Sequence, residues 1–153
     1  MRSKLVAALA ALTLAAPVTA QAIVPDLSAA TPLPGRWTWA PAADGTEAAF
    51  LDSAGRPQLW VHCMRAPRIV TVARPASSAV PFLMVWTSSA ARNVPSSFNP
   101  ATGRSTAQLS AYDGLLDALA FSRGRIGIAL TGMPALVASG GPEIARVVED
   151  CRA

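Results

Sequence analysis

From residue 35 onward the chain is built of short apolar or alternating runs, separated by clusters of Gly, Pro, Asn and Ser. Alternation with a period of two puts successive side chains on opposite faces, so each run reads as a strand with one buried face. The pattern predicts strands over 36–40, 47–52, 58–64, 68–73, 82–88, 106–111, 125–131 and 135–138. Most links between them are of hairpin length, which favours antiparallel pairing.

Two segments switch to helical spacing. Asp113 can cap a helix in which Leu115, Leu116, Leu119 and Ala120 recur at one face before Ser122 and Gly124 end it. Gly141 and Pro142 supply a second start, with Glu143 in the first turn. There Ile144, Val147, Val148 and Cys151 form one apolar stripe, and Arg146, Glu149 and Asp150 face water. The expected fold is mainly β (α+β): a small antiparallel β-sandwich or curled sheet with one short internal helix and a C-terminal helix.

The N-terminus follows a different rule. Arg2 and Lys4 precede an apolar stretch from Leu5 to Ala16, then Pro17 and small residues, the layout of a secretory signal peptide. Small residues at the last and third-last positions allow cleavage after Ala20 or Ala22, and Ala22 is favoured. Residues 1–22 are thus expected to be removed, 23–34 to form a flexible leader rich in Pro, Ala and Ser, and 35–153 to form one β-rich domain. The apolar stretch falls short of the roughly 20 residues that span a bilayer, so no membrane span is expected in the mature chain, whose address would be the periplasm or the medium.

Export also changes the charge argument. The formal charge of +4 includes Lys4, the only lysine, and Arg2. Without them the excess is small and gives no reason to expect nucleic acid as a partner.

An oxidising compartment and two cysteines, neither in a CxxC or zinc-type spacing, predict a disulfide between Cys63 and Cys151. Cys63 shares a strand face with Leu59 and Val61, and Cys151 lies on the apolar helix stripe, so the bond would pin the helix to the sheet.

The strand Arg56-Pro57-Gln58-Leu59-Trp60-Val61-His62-Cys63 and the ending Glu149-Asp150-Cys151-Arg152 resemble the layout of periplasmic accessory proteins of type VI secretion, the TagO or VasI type. Those share a P-x-L-x-x-x-C strand and a closing cysteine after a short helix; the additional upstream cysteines of that family are lacking here. The chain is similar, more loosely, to short exported proteins of Gram-negative bacteria. The resemblance implies a shared architecture over residues 56–152 and a role beside the secretion apparatus.

Candidate chemistry is sparse. His62 is the only histidine, and a dyad with Cys63 fails because adjacent strand residues face opposite ways. No G-x-S-x-G elbow presents a serine. Asp113 with Asp117 reads as cap and dipole, and Glu149 with Asp150 as a solvated face. No cofactor motif is present.

Two candidate binding surfaces remain. Trp60, His62 and Met64 alternate opposite to Leu59, Val61 and Cys63, while Phe82, Met84 and Trp86 alternate opposite to Leu83 and Val85. If those strands pair, one face collects aromatic rings, methionines and the histidine, as half of a core, as an apolar groove, or as soft copper(I) ligands in His62, Met64 and Met84. The second surface is arginine: Arg92, and Arg123 with Arg125, could grip an acidic group if folding brings them together. The expected function is a non-catalytic periplasmic module that binds an envelope protein or polymer. The alternative is a small envelope hydrolase using His62.

Overall fold

The computed structural model describes residues 26–153; the expected signal peptide and its cleavage site lie outside them. All eight predicted strands are present: β1 (Gly35–Ala42), β2 (Gly45–Asp52), β3 (Pro57–Met64), β4 (Ile69–Pro75), β5 (Phe82–Trp86), β7 (Arg104–Ser110), β8 (Arg125–Leu130) and β9 (Leu136–Ser139). A further strand, β6 (Ala91–Asn99), was not legible in the sequence because Asn93, Pro95 and the Ser96-Ser97 pair read as a loop. Pro95 is tolerated because β6 changes partner there, pairing with β5 through Pro95 and with β7 from Ser96 onward.

Of the two expected architectures, the curled sheet is the one adopted. Nine antiparallel strands run in the order β1-β2-β3-β4-β7-β6-β5-β8-β9, and the edges nearly meet, with Trp37 Nε1 donating to the Ser139 carbonyl at 2.8 Å. The concave face carries Phe50, Leu59, Val61, Val70, Val72, Leu83 and Val85, all fully buried. Both helices fill it. α1 (Gly114–Ala120) contributes Leu115, Leu116 and Leu119, and α2 (Pro142–Arg152) contributes Ile144, Val147, Val148 and Cys151. Asp113 caps α1, its carboxylate accepting from Leu115 N at 2.8 Å.

Cys63 and Cys151 are joined in a disulfide, with Cα atoms 5.5 Å apart. It ties the last turn of α2 to the end of β3, where the sequence placed both cysteines inward. The opposite end of the interior is held by a charge. Arg74 reaches from β4 to the far wall and donates through one guanidinium nitrogen to the carbonyls of Ile128, at 2.7 Å, and Pro134, at 3.1 Å. Burial pushes its pKa down, and no carboxylate among the described residues pairs with it.

The expectation of a flexible leader over 23–34 is revised from Asp26 onward. Leu27 is buried on the convex face with Met84 and Val137, flanked by Ala30, Trp86 and Ala129. Arg125 donates to the carbonyls of Ser28 and Ala30, and Leu33 N donates to Val137 O at 2.7 Å. The segment straps an apolar patch and satisfies part of the edge strand β9. Leu27 packs directly over Gly127, where a Cβ would stand 2.2 Å from Leu27 Cδ1. Replacing Leu27 by alanine removes the strap's buried anchor at a cost of about 1–2 kcal/mol. Limited proteolysis should then cut near Ser28 while the sheet stays folded; unchanged protection would mean that Leu27 is not seated against Gly127.

Candidate functional site

The convex face of β2, β3, β4 and β7 carries a polar groove. Cross-strand register aligns Glu47, His62, Thr71 and Gln108 in one row and Ala49, Trp60, Ala73 and Thr106 in the next. The turn between β6 and β7 forms a wall. Asn99 organises it, accepting through its side chain from Ala101 N at 2.9 Å and through its carbonyl from Gly103 N at 2.9 Å. Gly103 takes a φ of +62°, a conformation that favours glycine, and Arg104 emerges directly after it. The result is a groove of about 220 Å3 lined by Glu47, Trp60, His62, Thr71, Asn99 and Arg104, with Thr102 and Thr106.

Two features define its chemistry. The Arg104 guanidinium lies over the Trp60 ring, 3.5 Å from the centroid, and covers the indole so that Trp60 is only 8% exposed. His62 is held between carboxylates: Nε2 stands 3.0 Å from Asp44 Oδ1, and Nδ1 faces Glu47 Oε2 at 3.6 Å. A hydrolase histidine needs one nitrogen on an orienting carboxylate and the other on a nucleophile. Here Nε2 is on the Asp44 carboxylate, but Nδ1 has no hydrogen-bond partner among the described residues, so no hydroxyl is presented to it as a nucleophile.

The candidate residues are dispersed. β3 and β5 do not pair; β4, β7 and β6 lie between them, so His62 and Met64 are not brought beside Met84 and Trp86, and the joint apolar face does not form. Trp60 and His62 belong to the groove, Met64 ends β3, and Met84 and Trp86 lie under the N-terminal strap. Phe82 remains 46% exposed.

The arginines are likewise divided among tasks. Arg92 pairs with Asp113 at 2.7 Å, and Arg125 holds the strap. Arg123 is exposed, its backbone N–H donating to Ser88 Oγ at 2.9 Å. Folding thus brings the β5–β6 turn against the Arg123 turn, while the Arg92 side chain is taken by the cap of α1. The Asp113 carboxyl is held below its usual range: burial opposes this, but the Arg92 hydrogen bond and the Leu115 N–H favour the charged form. Asp117 pairs with Arg152 at 2.7 Å.

A larger cleft, about 520 Å3, opens at the seam between β1 and α2. There Trp37 donates to Ser139 and Arg146 stacks on Trp39 at 3.4 Å, while Trp39 Nε1 and Glu143 Oε2 have no hydrogen-bond partner among the described residues. The cleft lacks the ring of hydroxyl and amide groups found around Arg104.

Comparison with family models, with curated proteins and with solved structures returned no match. Sequence reasoning found Trp60 and His62 but missed Asp44, Glu47, Thr71, Asn99, Thr102, Arg104 and Thr106. A usable signal existed for part of this set. Arg104, Thr106 and Gln108 alternate with Ser105, Ala107 and Leu109, so starting that strand two residues earlier puts Arg104 on the convex face.

Proposed function

We propose that this chain is an exported, non-catalytic periplasmic module that binds an envelope protein or polymer through the groove beside Arg104. The observation that carries the reading is a stacked guanidinium that pairs with no carboxylate among the described residues, in the same groove as a histidine to which no hydroxyl is hydrogen-bonded: the groove is equipped to hold a ligand and presents no nucleophile to hydrolyse one. A disulfide that closes the core fits an oxidising compartment, and no helix among the described residues is long and apolar enough to cross a membrane. A place beside a secretion apparatus is compatible with this reading and is not what supports it.

In-cell crosslinking tests it. A photo-crosslinkable residue at Thr71, in the groove, should trap a specific adduct in the periplasm, whereas the same probe at Ser53, on the β2–β3 hairpin tip, should not. Absence of any adduct from Thr71, or equal adducts from both positions, would overturn the binding surface.

A further inference from the structure

We infer that the groove takes a dipeptide-sized zwitterion, a ligand carrying a carboxylate at one end and an ammonium several bonds away. The inference rests on the groove being the binding surface proposed above. At one end, Arg104 has its planar face on Trp60, and no described side chain or carbonyl accepts a hydrogen bond from its guanidinium. Its N–H edges are therefore free in a fixed plane, the geometry that grips a carboxylate bidentately. Stacking has already removed much of the side chain's rotamer freedom, so less ordering entropy is lost on binding. The Thr102 and Thr106 hydroxyls and the Asn99 amide stand around it as neutral hydrogen-bonding groups.

The other end is acidic. Asp44 and Glu47 flank His62, and their side chains are 58% and 36% exposed against 19% for the imidazole. Glu47 lines the groove itself, while Asp44 holds His62 Nε2 from outside the lining, so this end is acidic and favours an ammonium. Trp60, which carries Arg104, lies two residues along β3 from His62, about 7 Å. Arg104 thus lies one row of the sheet from the row of Glu47 and His62, so a ligand reaching both carries its charges apart, as the termini of a dipeptide do, and not on neighbouring atoms as in glycine. The volume of about 220 Å3 admits a ligand of that size. Both a free dipeptide and a peptide borne on an envelope polymer present this chemistry.

The test is an NMR titration of the disulfide-bonded mature protein with Ala-Ala, N-acetyl-Ala-Ala, Ala-Ala amide and glycine. Ala-Ala should shift the Trp60 indole N–H and the Thr102 and Thr106 amides, and each of the other probes should bind at least tenfold more weakly. Arg104→Gln should weaken Ala-Ala by at least tenfold, and Glu47→Gln should weaken Ala-Ala while leaving the acetylated probe unchanged. Equal binding of all probes, or no shift in the groove up to roughly 10 mM, would overturn the inference. If no dipeptide binds while Thr71 still traps an adduct, the ligand class fails and the binding surface stands; if both fail, both readings fall. Sedimentation with isolated cell-wall material, with and without Ala-Ala, tells a polymer-borne peptide from a free one.

Discussion

Replacing Cys63 and Cys151 together by alanine should lower stability by about 4–5 kcal/mol, the chain-entropy worth of a closed loop of this size; the residues are 88 apart in sequence. Small domains have roughly 5–15 kcal/mol in all, so the variant should sit close to the threshold of folding. Its melting temperature should fall by on the order of 10–15 °C. Urea unfolding of the variant and of reduced wild type should coincide, because both remove the same link. A loss below about 1 kcal/mol would mean that the apolar stripe of α2 alone holds the helix in the sheet.

The second large effect concerns the other end of the interior. Arg74→Ala removes the donor to the Ile128 and Pro134 carbonyls and leaves a void, which together should cost about 3–5 kcal/mol. Arg74→Met refills most of the volume and dispenses with a buried guanidinium that has no carboxylate partner. Since an unpaired buried charge is itself unfavourable, the methionine variant should lose less than about 1.5 kcal/mol. Chemical denaturation of the two variants decides the point. Equal losses would show that the hydrogen bonds to the opposite wall, and not the filled volume, hold that end together.

Much of the fold was legible because half-buried strands and an amphipathic helix write their faces into the sequence at periods of two and 3.6. The inward side of Leu59, Val61 and Cys63, the stripe of α2 and the disulfide all follow from that rule. The β6 strand escaped because its exposed positions are polar and Pro95 falls where the strand changes partner, so no continuous alternation marks it. The strap escaped for a different reason. Leu27 is the only residue of 26–34 that is buried, and a single buried side chain sets no period. The groove was half visible, since Trp60 and His62 stand out by type, but Glu47 and Thr71 join them through strand register, and Arg104 through a turn. Register between strands distant in sequence depends on three-dimensional pairing, which no local pattern encodes.

Binding through Arg104 and not catalysis through His62 is best tested by comparing two substitutions on the in-cell Thr71 adduct. Arg104→Gln should abolish the adduct while thermal unfolding stays near wild type, and His62→Gln, at a position that lines the groove without anchoring the ligand, should at most weaken it. Loss of the adduct with His62→Gln and its survival with Arg104→Gln, both proteins being folded, would contradict the account.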